Sequence, residues 1–172
     1  DDSVCVNNPN VTLNGSSSTG SATWTTSGTG TFSPNNTTMN ATYIPSPADI
    51  ASGSVTITLT SNNNGNCLAV TDVMIITFTP QPTVSAGPDQ TVCANNANVL
   101  LSGTSTTGSG SWTTSGTGTF TPNNTTLNAT YVPSSADTAA GTVTLTLTST
   151  NNGGCLPVTD QMVITITNAP TA

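Results

Sequence analysis

The chain consists of two copies of one sequence that are offset by 88 residues. Residues 1–84 align with residues 89–172 without a gap, and 57 of the 84 aligned positions are identical. Matched landmarks are the pairs Cys5 and Cys93, Trp24 and Trp112, Tyr43 and Tyr131, and Cys67 and Cys155. Such similarity indicates a recent duplication, so both copies are expected to share one fold. We interpret the chain as a segment of a longer array, with a natural two-domain protein as the alternative.

The charge composition excludes several classes of function. The 172 residues contain no Lys, Arg or His, and their net charge is -7. Cationic side chains neutralise nucleic-acid phosphates and attract anionic lipid, so we expect neither nucleic-acid binding nor binding to a lipid surface. Triads, general bases and metal sites built on His are impossible. The chain has no run of 18 apolar residues, and we therefore expect no direct membrane insertion.

Each copy alternates apolar residues with Thr at a period of two. The clearest alternation covers residues 142–148 and 162–167, with counterparts at 54–60 and 73–79. One apolar face and one Thr face are typical of a strand with a single buried side. Shorter strands are predicted at Gln90–Cys93, Asn98–Ser102, Ser111–Ser115 and Asn128–Val132, and one helical turn at Ser134–Ala139.

About seven short strands per copy predict an all-β protein built of two tandem immunoglobulin-like β-sandwich domains. We assign residues 1–79 to the first domain, 80–88 to a linker, 89–168 to the second domain and 169–172 to the start of a next linker. The prolines of the linker favour extended geometry, which makes the joint semi-rigid. A β-solenoid is the alternative fold, although its repeat is usually far shorter.

Four cysteines in a chain of this composition indicate disulfides. The repeat symmetry favours Cys5–Cys67 and Cys93–Cys155, one bridge per domain, each spanning 62 residues. The chain-entropy model gives each bridge about 4 kcal/mol of stabilisation. A zinc site is the competing interpretation, but the chain lacks both CxxC spacing and His.

Trp24 and Trp112 lie in two copies of the segment Trp-Thr-Thr-Ser-Gly-Thr-Gly-Thr-Phe, where a central strand is expected. A large aromatic residue on such a strand is typical of the packing between two sheets. We therefore interpret both residues as core anchors, with sugar stacking as the alternative.

Three Asp positions recur in both copies, namely Asp1 and Asp89, Asp49 and Asp137, and Asp72 and Asp160. Paired carboxylates can hydrolyse glycosides, and clustered ones can bind calcium at domain junctions. The sequence has no acidic cluster and no partner that would raise a carboxyl pKa. We therefore expect no enzyme activity, no catalytic residue, and no bound metal or cofactor. The carboxylates are assigned to turns, where they accept backbone hydrogen bonds.

Several segments carry a resemblance to a known family. They are Ala86–Cys93, the Trp segment, Tyr131–Ser134, Gly141–Thr148 and Asp160–Ile166. These segments resemble the PKD-like, immunoglobulin-like repeats of giant SprB-type surface adhesins of gliding Bacteroidota, and the resemblance covers both copies. It implies type IX secretion and display on the bacterial cell surface. It also implies O-glycosylation at Asp-[Ser/Thr]-apolar triplets, which places glycans on Ser3 and Thr138.

These observations predict a structural stalk segment of a repetitive bacterial cell-surface adhesin. The segment would extend a distal adhesive region for surface attachment or gliding motility. One alternative is a repeat of a polymerised extracellular filament, and another is a polysaccharide-binding module. The expected partners are adjacent repeats of the same chain. Neighbouring filament chains or surface polysaccharide are the partners under the two alternatives.

Overall fold

The computed structural model describes residues 1–171, which divide into two compact units. Unit 1 comprises residues 1–81 and 154–156, and unit 2 comprises residues 82–153 and the residues that follow 156. Strands dominate both units, so the predicted all-β class is confirmed. The short segment 154–156 belongs to unit 1 although its sequence lies in the second repeat.

Unit 1 is built of seven strands in two sheets, with one short helix. Its elements are β1 (Asp2–Cys5), β2 (Val11–Thr12), β3 (Ala22–Thr26), β4 (Thr31–Ser33), β5 (Thr42–Ile44), α1 (Pro47–Ser52), β6 (Ser54–Ser61) and β7 (Thr71–Thr79). One sheet has the order β1-β7-β6-β3 and the other has the order β2-β5-β4. β1 runs parallel to β7 with Cys5 opposite Thr79, whereas the other pairs are antiparallel.

Unit 2 repeats this arrangement and adds a two-stranded sheet. Its elements are β8 (Val84–Ser85), β9 (Gln90–Cys93), β10 (Val99–Leu100), β11 (Thr104–Ser105), β12 (Gly110–Thr114), β13 (Thr119–Thr121), β14 (Thr130–Val132), α2 (Ser135–Ala140), β15 (Thr142–Ser149) and β16 (Thr159–Thr167). The sheets have the orders β12-β15-β16-β9, β10-β14-β13 and β11-β8. Val84 and Ser85, which the sequence placed in a linker, therefore form a paired strand.

The period-two alternation produces the core of each unit. In β15, Val143, Leu145 and Leu147 are buried, whereas the Thr residues between them lie on the other face. Burying one such side chain contributes about 1.5–3 kcal/mol. The remaining large core residues of unit 2 include Trp112 and Tyr131. The same positions of the first repeat form the core of unit 1.

Helices α1 and α2 each have six residues, and the local sequence determines where they begin and end. Ser46 caps α1 and Ser134 caps α2, and in both the third helical residue is an Asp that completes a capping box. Gly141 ends α2 with φ 76°, a left-handed conformation that glycine adopts without steric cost. The helical turn predicted at Ser134–Ala139 agrees with the observed α2.

Candidate functional site

A buried carboxylate, that of Asp49, joins α1 to the turn that follows β3. Asp49 is 3% exposed. It accepts hydrogen bonds from the backbone N–H of Thr29 at 2.8 Å, of Gly30 at 2.9 Å and of Ser46 at 3.0 Å. The hydroxyl of Tyr43 donates a further bond to it at 2.7 Å. We call Asp49, Tyr43 and their donors the carboxylate latch of unit 1.

The turn Ser27–Gly30 requires its two glycines because the latch packs directly on the backbone. A Cβ atom at Gly28 would overlap the carboxylate of Asp49, and one at Gly30 would overlap the ring of Tyr43. The Ser-Gly-Thr-Gly segment is thus the part of the latch whose backbone N–H groups donate to the carboxylate. Sequence reasoning missed this pairing, and its signal was the recurrence of the glycine pair together with a downstream Tyr and Asp.

The hydrogen bonds determine the ionisation of Asp49. Burial by itself raises the pKa of this carboxyl, but hydrogen bonds from Tyr43, Thr29 and Ser46 outweigh it and lower the pKa to about 2, from 3.8. Burial also raises the pKa of the Tyr43 phenol, and its hydrogen bond to the carboxylate raises it further. At neutral pH the pair is therefore a carboxylate and a neutral phenol.

Unit 2 contains the same latch. The Asp137 carboxylate accepts bonds from the N–H of Thr117 at 2.8 Å, the N–H of Ser134 at 3.0 Å and the hydroxyl of Tyr131 at 2.8 Å. Burial raises its pKa, yet these hydrogen bonds produce a net lowering. In both repeats the carboxylate is occupied by donors of its own unit, which is a structural role.

We expect Asp49→Asn to lower the free energy of unfolding of unit 1 by roughly 2–3 kcal/mol near pH 7, because buried donors lose a charged acceptor. The folded-state pKa lies below the unfolded value of 3.8, so the ionised latch stabilises the fold above about pH 4. This contribution is lost as the pH falls through about 2.

Urea titrations at pH 7, 4 and 2 measure this effect, and the wild-type and variant curves should converge at the lowest pH. Asp72→Asn is the matched control, because Asp72 is exposed and its change should stay within about 0.5 kcal/mol. An Asp49→Asn effect that is constant over this pH range would contradict the assignment.

The disulfide of the structure joins Cys5 to Cys155, with the Cα atoms 5.0 Å apart at a sequence separation of 150. Both residues lie in unit 1. The predicted pairs Cys5–Cys67 and Cys93–Cys155 are therefore wrong. Cys67 is an exposed free thiol and Cys93 is a half-buried free thiol.

The parallel pairing of β1 with β7 explains this correction. Cys5 lies opposite Thr79, at the end of β7, whereas Cys67 precedes Thr71, at its start. A strand of this length separates its ends by roughly 25 Å, and disulfide formation requires Cα atoms within about 7 Å. Repeat symmetry alone cannot distinguish a parallel from an antiparallel first strand.

Two Asn side chains hold the Cys155 segment next to Cys5. The Asn7 amide donates to the carbonyl of Leu156 and accepts from its N–H, both at 3.0 Å. The Asn8 amide donates to the carbonyl of Gly154 at 3.2 Å. We call Asn7 and Asn8 the Asn clasp. Sequence reasoning missed it, although the Asn pair recurs two residues after the matched cysteine of the second repeat.

The remaining predicted site residues lie as follows. Trp112 is fully buried and Trp24 is 5% exposed, and their indole N–H groups donate to the carbonyls of Leu127 and Thr38. Ser3 is exposed on β1, whereas Thr138 is half-buried in α2 and its hydroxyl donates to the carbonyl of Ser134 at 2.9 Å.

Two further features concern metals and membranes. Within residues 1–171 no group of three or more His, Cys, Asp or Glu side chains is placed to hold a metal ion. None of the helices in the same range is long and apolar enough to span a membrane.

No family model and no curated protein matches the chain. Among solved structures, human protocadherin-24 EC1-2 (form II) aligns with 98% of this chain and 94% of its own, at 10% identity and a TM-score of 0.36. Drosophila N-cadherin EC1-3 aligns with 97% of this chain and 64% of its own, at 12% identity and a TM-score of 0.39. Drosophila N-cadherin EC1-4 aligns with 87% of this chain and 41% of its own, at 10% identity and a TM-score of 0.41. Alignments this weak carry no inference about function.

Native-state alkylation with iodoacetamide should label Cys67 and Cys93 and leave Cys5 and Cys155 unmodified, because only the former are free thiols. Cys5→Ser should add Cys155 as a third labelled site. Chymotryptic peptides measure this outcome, since the chain offers trypsin no Lys or Arg. A protein that takes up no label would instead support one bridge per repeat.

Proposed function

We propose that this chain is a structural stalk segment, under tension, of a repetitive, secreted bacterial surface adhesin. The observation that carries the proposal is the Cys5–Cys155 bond, which joins the start of the first repeat to the end of the second. The tandem repetition and the sequence resemblance to gliding adhesins support the same role. The type IX route and an O-glycan on the exposed Ser3 are part of this proposal, whereas a glycan on Thr138 would remove the bond that its hydroxyl donates to the Ser134 carbonyl.

The bond changes how tension passes through the chain. A force applied at the two ends reaches Cys5, crosses the sulfur–sulfur bond and leaves at Cys155. Residues 6–154 then lie outside the load path and cannot extend. Fully stretched, a loop of this size would measure roughly 500 Å. The bond therefore prevents residues 6–154 from unravelling under load, even where the non-covalent core is weak.

The absence of cations in the sequence supports exposure to the medium. Trypsin-like proteases need Lys or Arg in their specificity pocket, and the chain contains neither. By contrast, nothing supports sugar stacking. Among residues 1–171 no aromatic side chain is exposed, since each is buried or half-buried.

Single-molecule pulling tests the proposal. Pulled from its ends, the oxidised chain should release only the residues before Cys5 and after Cys155, which include β16, because the disulfide retains the loop. After reduction, the released contour length should increase by roughly 500 Å. Cys5→Ser should behave like the reduced protein, and Cys67→Ser should behave like the oxidised wild type. Equal release lengths for the wild type under both conditions would refute the load path.

A second candidate function is that of a covalently joined filament. It is favoured because Cys67 and Cys93 are free thiols. Cys93 matches Cys5, and its Sγ lies 3.7 Å from the carbonyl of Asn168, as the Cys5 Sγ lies 3.9 Å from that of Pro80. The isolated β-bridge between Cys5 and Asn8 also recurs in the second repeat, between Cys93 and Asn96. Its partner would be the exposed Cys67 of a second chain, which matches Cys155.

In a glutathione redox buffer, this candidate predicts a ladder of oligomers on non-reducing gels. Each new sulfur–sulfur bond forms from two thiols that lose two protons and two electrons, and oxidised glutathione is reduced to two thiols. Cys93→Ser and Cys67→Ser should each remove the ladder, and peptide mapping should recover Cys93 joined to Cys67. Monomers only, or bridges between identical cysteines only, would exclude the candidate.

A further inference from the structure

The dipeptide Asn-Gly occurs three times in the chain, at residues 14–15, 64–65 and 152–153. In such a pair the backbone nitrogen of the glycine can attack the side-chain amide of the asparagine, because glycine has no Cβ atom to obstruct the approach. The attack also requires that the glycine nitrogen is accessible and free of a hydrogen bond, and that its peptide can move. The tertiary structure therefore decides which of the three pairs can react.

The second and third pairs lie in exposed loops at matched positions of the two repeats. Asn64-Gly65 lies between β6 and β7, and Asn152-Gly153 lies between β15 and β16. Both glycines are exposed, and a Cβ atom added to either would meet no atom within 4 Å. Neither glycine N–H donates a hydrogen bond within residues 1–171. Both glycine nitrogens are therefore accessible and unbonded.

The asparagine side chains of these two loops are each held by one neutral hydrogen bond. Asn64 Nδ2 donates to the carbonyl of Ser61 at 3.0 Å, and Asn152 Nδ2 donates to that of Ser149 at 3.1 Å. The buried Oδ1 of Asn152 accepts no hydrogen bond within residues 1–171. Breaking a single bond thus frees each amide to rotate toward the nitrogen of the next residue.

The first pair, by contrast, is held by the backbone of unit 1. The Gly15 N–H donates to the carbonyl of Met39 at 3.1 Å. The N–H of Leu13, just before the pair, donates to the carbonyl of Ala41 at 2.8 Å. A Cβ atom at Gly15 would overlap the ring of Trp24, so the backbone here packs directly on the core. Attack by this glycine nitrogen requires local unfolding.

We propose that Asn64 and Asn152 are sites of spontaneous deamidation in the folded protein, and that Asn14 is protected. The glycine nitrogen loses its proton and forms a bond to the asparagine Cγ. The Cγ–Nδ2 bond breaks, and the amide nitrogen takes up a proton and leaves as ammonia. Water then opens the resulting succinimide ring at either carbonyl, which gives aspartate or isoaspartate. Water is the only co-reactant, and no oxidant or reductant takes part.

The product changes each loop in two ways. A carboxylate has no N–H group, so the bond to the Ser61 or Ser149 carbonyl is lost and two acceptors face each other. Each converted site also adds a negative charge to a chain that has no Lys, Arg or His to pair with it. The matched loops of the two repeats thus become more acidic and less ordered with age. This inference is independent of the disulfide and of the stalk role.

Incubation of the full oxidised chain in heavy-oxygen water at mildly alkaline pH tests the proposal. Solvent oxygen enters only where a succinimide is hydrolysed, so digestion with chymotrypsin in ordinary water afterwards adds no label. Tandem mass spectra of the peptides then locate each converted residue. We expect Asn64 and Asn152 to take up label at least about tenfold faster than Asn14, because only the latter needs local opening.

The reduced chain in urea is the first control, and all three pairs should convert there at similar rates because the protecting structure is gone. Gly65→Ala is the matched variant. Its Cβ atom should slow conversion of Asn64 by at least about tenfold and leave the rates at Asn152 and Asn14 unchanged. Equal labelling of Asn14 and Asn64 in the folded wild type would overturn the proposal. So would folded loops that stay unlabelled while the unfolded chain converts, or an unchanged Asn64 rate in Gly65→Ala.

Discussion

In each repeat the first strand pairs in parallel with the last one, β1 with β7 and β9 with β16. This pairing decides most of what is specific to this structure. Because β1 runs beside β7 in the same direction, Cys5 lies at the far end of β7 from the loop that carries Cys67. One backbone choice thus separates the two cysteines of a repeat.

The carboxylate latch compensates for the small core of each unit. Most strands are only two to five residues long, and long apolar side chains are few. A buried carboxylate with several donors ties the helix, the Tyr-bearing strand and the Gly-rich turn together. Such charge-assisted bonds are roughly twice as strong as neutral ones. Both carboxylates are satisfied inside their own units, so Asp49 and Asp137 have a structural role.

Local patterns predicted the parts of the fold that depend on neighbouring residues. The Thr alternation located β6, β7, β15 and β16, because side chains on successive residues of a strand point to opposite faces. One helical turn was predicted at Ser134–Ala139, and the observed α2 begins with a capping box that satisfies the first backbone donors of the helix locally. The Asn clasp and the glycines that pack against the latch, Gly28 and Gly30, were missed, because their partners lie far away in sequence.

The sequence by itself determined that the chain is a duplicated, cation-free, all-β protein, since those properties follow from composition and from short-range periodicity. Only the tertiary structure decided which cysteines meet, because strand direction is invisible in an alternating pattern and two identical repeats offer symmetrical pairings. It also decided that Ala86 belongs to the core of unit 2 and that Val84 packs against that core. A Pro-rich, polar segment has no hydrophobic periodicity of its own. Its burial depends on contacts with β11, β15 and β16, which lie further along the chain.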